Sequence, residues 1–307
     1  MQSIHIEVGG YQKPASIHNQ AARRFGEVLT HKLGPRVSFE LVGNVLDLGR
    51  KSGDLPTMVE RGELSACYMS TVRFTEAVPE LKLLELPFVI KDRAALFRAL
   101  DGEVGRMLRQ RMLERSPFRV LGFWDNGYRH FTNRVRPIRD PGDCRGLRIR
   151  TQMSTLHGEV FRALGFVPVP ADIKEFVEGI ATERFEAQDN PLTNIYNFGV
   201  HQHHRYITLS SHFFGGTLFI CNEQHFRSWP EEVRSVVEEA AAEATALQRR
   251  LAAAEDLRVL ERLDGGQNEV VHLSAVERAR FVEAVQPVIA RHRGEADPKL
   301  FAALTGV

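Results

Sequence analysis

Phe118-Arg-Val-Leu-Gly-Phe-Trp-Asp-Asn-Gly-Tyr-Arg-His-Phe-Thr-Asn133 is the stretch on which the reading of the fold turns. Phe118–Trp124 has strand character, Asp125-Asn126-Gly127 is a turn signal, and Gly127–Asn133 reads as a second strand. The second strand carries Tyr128, Arg129, His130, Phe131 and Thr132. A strand–turn–strand passage at this point is the expected first crossing between two lobes.

Upstream, strand and helix alternate. His5–Val8 and Val37–Val42 read as strands, with Ser16–Leu33 as an amphipathic helix between them. Phe25, Val28, Leu29 and Leu33 share one side of that helix, and Gly34-Pro35 stops it. A short helix over Asp54–Arg61 leads to a third strand, Leu64–Met69. This alternation predicts a parallel sheet with helices on both faces. Sheets of that kind hold ligands beyond the carboxyl ends of their strands, which directs attention to Gly9–Pro14 and Ser70-Thr71-Val72. Asp92–Glu114 reads as one long helix leading into the opening stretch.

Downstream, Pro137–Gly146 is a loop, Leu147–Arg150 a strand and Thr155–Leu164 a helix. Ile173–Thr182 (helix), Phe185–Asp189 (strand) and Leu192–Phe198 (helix) follow. Tyr206–Ser210 and Leu218–Cys221 read as two further strands. Trp229-Pro230-Glu231-Glu232 then opens a helical stretch running to about Leu263, with proline and acids suited to a helix N-terminus. At 1.5 Å per residue it would extend about 50 Å, enough to span both lobes. Helices over 275–292 and 297–304 finish the chain.

Composition excludes several classes. The 307 residues carry 40 basic and 39 acidic side chains, so the basic excess of a phosphate-neutralising nucleic-acid binder is missing. Apolar runs such as Leu86–Ile90 and Leu218–Cys221 are core-sized, far short of the roughly 18 residues that cross a bilayer. No nucleic acid and no stable membrane insertion are therefore expected. Cys67, Cys144 and Cys221 form no CxxC pair; Cys67 and Cys221 sit in apolar stretches as buried thiols. No P-loop, Gly-x-Ser-x-Gly elbow or Gly-x-Gly-x-x-Gly occurs, so no nucleotide cofactor is expected. His201-Gln202-His203-His204 offers imidazoles without an HExxH pattern. This cluster leaves one enzymatic alternative open, a metal-dependent hydrolase or lyase.

Arg129 and Arg150 stand in strands, where a planar guanidinium suits two-pronged capture of a carboxylate. Only seven of the 40 basic residues are lysine, however, so a surface ion pair is the more ordinary use of any one arginine. Asn190, after a strand and before a helix, suits either capping or ligand contact.

Leu86-Pro87-Phe88, Gly127-Tyr-Arg129, Asp143-Cys-Arg-Gly146-Leu-Arg-Ile-Arg150, Gln188-Asp-Asn190-Pro191 and Trp229-Pro230-Glu-Glu occur in this order. In that order the chain resembles the extracytoplasmic solute-binding subunits of TRAP transporters, the DctP-like dicarboxylate-binding group. The resemblance implies a two-lobed α/β periplasmic-binding-protein fold with hinge strands and a long helix spanning both lobes. Lobe 1 would comprise 1–123 plus about 213–250, and lobe 2 would comprise 124–212 plus about 251–307. It also implies a non-enzymatic protein that closes on a carboxylate-bearing organic acid and delivers it to TRAP membrane subunits. Arg150 would form the salt bridge to the ligand, with Arg129 and Asn190 facing the cleft. Ser70, Tyr11, Gln12, Trp124, His212, Gly216 and Ile173 are candidates for the remaining wall. Ser70 stands at a slot that is acidic in sialic-acid-binding members and Ile173 near one that is aromatic there, so sialic acid is not expected. A periplasmic location is implied. No n-region, h-region or cleavage site precedes the first strand, which by itself leaves a cytoplasmic protein open; the resemblance implies an export signal whose place Met1 takes.

Overall fold

The computed structural model describes residues 3–182 and 184–305. Its strands are β1 (Ile4–Gly9), β2 (Val37–Val42), β3 (Ala66–Ser70), β4 (Phe118–Asn133), β5 (Arg148–Thr151), β6 (Val167–Pro170), β7 (Ala187–Pro191), β8 (Tyr206–Asn222) and β9 (Glu269–His272). The helices are α1 (Ile17–Leu33), α2 (Leu55–Glu60), α3 (Arg93–Asp101), α4 (Glu103–Arg115), α5 (Thr155–Ala163), α6 (Ile173–Gly179), α7 (Leu192–Asn197), α8 (Glu223–Ser228), α9 (Glu231–Arg262), α10 (Ala275–Glu295) and α11 (Pro298–Thr305).

The stretch 118–133 is one continuous strand, which corrects the strand–turn–strand reading. Asp125-Asn126-Gly127 is a bulge: the register against β8 shifts between Asp125 and Gly127, and Gly127 has φ +90°. The backbone pairs straight through a sequence that would turn a two-stranded hairpin, because β8 templates both sides of it. The strands expected at 206–210 and 218–221 are likewise one, β8, with Ser211 at φ +46° in its middle. The long helix expected over 92–114 is broken at Gly102 into α3 and α4.

The sheet order is β2-β1-β3-β8-β4-β7-β5-β6, with β9 added to β8. β1, β2 and β3 pair in parallel, as do β5, β6 and β7. β8 and β4 run antiparallel to each other between these two parallel halves. β3 pairs only with Thr217–Cys221 of β8, and β7 only with Arg129–Asn133 of β4. The segments joining the halves are therefore the irregular ones, around 125–128 and 211–216.

An added Cβ on Gly127 would meet Asp256 Oδ1 and Pro191 Cβ at 3.5 Å, ordinary van der Waals contact without a clash. Replacing it by alanine is thus expected to cost backbone strain alone, about 1–3 kcal/mol. Urea unfolding of Gly127→Ala measures this; an unchanged midpoint would show that the left-handed bulge is not required.

Helix α9 is 32 residues long and packs on α1 of one half, on β4 and on α7 of the other half. Its inward residues include Val233, Val237, Ala240, Ala241, Ala244 and Ala252, small enough for close approach to β4 and α1. Glu243 pairs with Arg24 at 2.6 Å, and Glu239 and Glu232 pair with Lys32 and Arg36. Cys67, Cys144 and Cys221 are buried free thiols.

Candidate functional site

The carboxyl ends of β1, β3, β5 and β7 converge on a cavity of about 490 Å³, its open mouth included. Tyr11, Ser52, Met69, Ser70 and Arg73 line it from the first half of the sheet. Arg150, Gln152, Asp172, Ile173, Asn190, Asn194 and Phe198 line it from the second.

Arg150 is the penultimate residue of β5, where Ile149 turns into the core and Arg148 toward solvent. Arg150 itself is 4% exposed. Its Nε donates to Ala171 O at 2.9 Å and its Cζ lies 5.5 Å from the centroid of the Phe176 ring. Among the described residues it forms no direct ion pair, and Asp189 and Asp172 favour its charge only from farther off. Burial, with the nearby Arg129 charge, lowers its pKa to about 10, so it remains a cation at neutral pH.

Arg129 contrasts with it. At 2% exposure its Nε donates to Asp189 Oδ2 at 2.5 Å and its Nη2 to Asp189 O at 2.6 Å. His212 Nε2 lies 3.4 Å from the same Oδ2, with its ring stacked 4.0 Å from Phe131. Burial raises the Asp189 pKa, but Arg129 and His212 outweigh it and hold the carboxyl well below the usual range. Two arginines thus stand close together, one neutralised and one not.

A chain of side-chain hydrogen bonds backs the cavity. Thr132 Oγ1 contacts His204 Nδ1 (2.8 Å) and accepts from Gln188 Nε2 (2.7 Å). Gln188 Oε1 accepts from Asn190 Nδ2 (2.5 Å), Asn190 Oδ1 from Asn194 Nδ2 (3.4 Å), and Asn194 Oδ1 from Gln12 Nε2 (3.0 Å). The last of these links the two halves of the sheet. Burial raises the Tyr11 phenol to about 12, so it stays protonated and able to donate. Ser70 makes no side-chain hydrogen bond within the described protein, leaving its hydroxyl to the cavity.

The model of the bacterial extracellular solute-binding protein family 7 matches residues 8–295. The chain belongs to that family. It is 26% identical over 265 residues to the 2,3-diketo-L-gulonate-binding periplasmic protein YiaO of Escherichia coli K12, covering 86% of this chain and 79% of that one. It is 32% identical over 212 residues to the C4-dicarboxylate-binding periplasmic protein DctP of Rhodobacter capsulatus, covering 69% and 63%. A TRAP periplasmic solute-binding protein of Sulfurospirillum deleyianum, solved with bound succinate, superposes with TM-score 0.93 at 25% identity over all of both chains. The sugar-acid-binding protein DctPAm of Advenella mimigardefordensis, solved with galactonate, shares the fold, with TM-score 0.93 at 22% identity over 100% and 98%.

In this family-7 protein, Arg150, Asn190, Ser70, Tyr11 and Ile173 form part of the cavity wall. Other candidates lie behind it. Arg129 and His212 are engaged with Asp189, and Gln12 is buried against Asn194. Trp124 stacks on Phe219 at 4.8 Å and donates to Thr245 Oγ1, while Gly216 packs over Thr71. The sequence reading did not single out Asp172, Asn194, Ser52, Gln152 or Arg73 for the wall. Asn194 follows Asn190 by four residues, a spacing that could have marked it; Arg73 lies in the loop that Ser70 opens, and Ser52 carries no local signal. The histidines at 201–204 have separate partners: His201 stacks on Tyr196 at 4.7 Å, while His204 is buried against Thr132. Among the described residues no group of three His, Cys, Asp or Glu side chains could hold a metal, and no helix is long and apolar enough to cross a membrane.

Proposed function

We propose that this solute-binding protein captures a small organic acid by its carboxylate on Arg150 and hands it, unreacted, to TRAP-type membrane subunits from the periplasm. The observation that carries the reading is the buried Arg150 guanidinium, which no acidic side chain meets in a direct ion pair. A cation taken out of water needs a counter-charge and hydrogen-bond acceptors, and a ligand carboxylate supplies both through the guanidinium fork. The net charge of +1 makes this attraction local rather than a field of the whole molecule.

Ser70, Tyr11 and Asn190 stand where they would orient the rest of the ligand, with Ile173 as apolar wall. Arg129 acts through Asp189 and not by direct contact. The lobes take the boundaries expected above, 1–123 plus about 213–250 and 124–212 plus about 251–307. These place the crossings at the bulged centres of β4 and β8, where closure meets least resistance from regular pairing. Closure about those crossings would exclude water from the ion pair, and only the closed arrangement collects contacts from both walls.

The E. coli and R. capsulatus relatives are named for acid ligands, which supports the class. Mono-, di- and hydroxycarboxylates are expected to raise the melting temperature by several degrees and to be recovered unchanged, with chelator or added zinc altering nothing. Consumption of the acid, abolished by chelator, would replace this reading by the metal-dependent hydrolase or lyase.

A further inference from the structure

Asp172 opens α6 and caps it, Oδ1 accepting from Lys174 N at 3.0 Å. The same carboxylate accepts three donors from the other half of the sheet. Ser52 N reaches Oδ1 at 3.3 Å, while Ser52 Oγ and Gly53 N reach Oδ2 at 2.9 and 3.1 Å. Flanking contacts join the same two segments: Lys51 Nζ to Glu175 Oε1 at 2.8 Å, and Lys174 Nζ to Gly49 O at 2.7 Å. Arg73 Nη2 fixes the Gly53 carbonyl from behind at 3.1 Å. An added Cβ on Gly53 would lie in ordinary contact with Asp172 Oδ2, at 3.4 Å, and would displace the end of the Arg73 side chain, 2.6 Å away.

The geometry points to Asp172 and the Ser52-Gly53 backbone as a latch that sets how far the binding protein stays closed, and so sets its affinity without touching the ligand. The two segments belong to the β2–β1–β3 and β7–β5–β6 halves, which meet through the long irregular strands. Their bonds therefore exist only while the halves are together. With four donors on two oxygens, Asp172 has little capacity left for a ligand although it lines the cavity. Charge-assisted hydrogen bonds of this kind are the strong ones, and apparent affinity scales with the closed fraction. The latch rests on the proposed function for its affinity readout only; its conformational readout needs no ligand.

Asp172→Asn is the informative variant, because asparagine caps a helix as well as aspartate while its NH₂ cannot accept from Ser52 or Gly53. Spin labels at Arg61→Cys and Val167→Cys, both exposed and on opposite halves, report the separation without ligand. The expected result is a short-distance population in the wild type that Asp172→Asn depletes, with the melting temperature moving by only a few degrees. Affinity for each stabilising acid is expected to fall tenfold or more, the ranking of acids staying the same. Distance distributions that do not differ would overturn the latch, and so would a changed ranking of acids, since that makes Asp172 a ligand contact. Should no acid bind at all, the carboxylate-binding reading fails while the distances still decide the latch.

Discussion

Arg150→Met is expected to abolish measurable binding of the stabilising acid, a loss of at least a hundredfold or about 3 kcal/mol. The ligand-free protein is expected to melt no lower than the wild type. The guanidinium gives the fold one bond to Ala171 O and burial against Phe176, and no acid is in direct ion contact with it, Asp189 and Asp172 acting only from farther off. Methionine fills similar volume without carrying a charge out of water, a replacement that is neutral or stabilising at many buried sites. Arg129→Met makes the opposite case. It leaves the Asp189 carboxylate buried with only the neutral His212 imidazole at 3.4 Å in place of its ion-pair partner, and removing one partner of a buried pair costs about 3–5 kcal/mol. Paired calorimetric titrations and melting curves separate the two arginines. Arg150→Met with unaltered affinity, or Arg129→Met melting like the wild type, would overturn the division of labour between them.

Acid is expected to unfold the protein well before its carboxylates are exhausted. Burial lowers the pKa of His18, His130 and His204 to about 3, and that of His212 to about 4. In the unfolded chain each imidazole titrates near 6.5. Below that pH the unfolded state binds protons that the folded state refuses, so stability falls as pH drops from about 6.5 toward 3–4. At pH 5 each histidine costs about 2 kcal/mol, or about 8 kcal/mol together, against a total stability of about 5–15 kcal/mol. Asp125 works the other way: burial raises its pKa to about 6, so its protonation returns about 1 kcal/mol at pH 5. A melting temperature falling by about 15 °C or more between pH 7.5 and 5.0 is therefore expected. His18 stacks on Tyr68 and neither ring nitrogen has a hydrogen-bond partner, so His18→Phe should flatten part of that slope. A melting temperature level across this range would mean that these imidazoles are not held neutral.

Periodicity made the elements of the first half readable, because helix α1 and strands β1 to β3 are specified by local patterning. The two long strands were not readable as single strands. Asp125-Asn126-Gly127 is locally a turn, and only pairing with a partner about 90 residues downstream keeps it extended. The site divides along the same line. Arg150, Asn190 and Ser70 sit at or one residue before the carboxyl ends of their strands, where a parallel sheet puts ligands, and alternation alone points Arg150 away from the Leu147–Ile149 side. Trp124, Gly216 and His212 lie within the hinge strands, and the irregular register there decides which face each takes. Asp172 resembles any N-capping aspartate until Ser52, 120 residues earlier, is brought against it.

A crystal structure with the most stabilising acid bound tests carboxylate capture most directly. The expected result is a ligand carboxylate within about 3 Å of the free amino groups of Arg150, with Arg129 still paired to Asp189. An ordered acid elsewhere, with no carboxylate at Arg150, would contradict it.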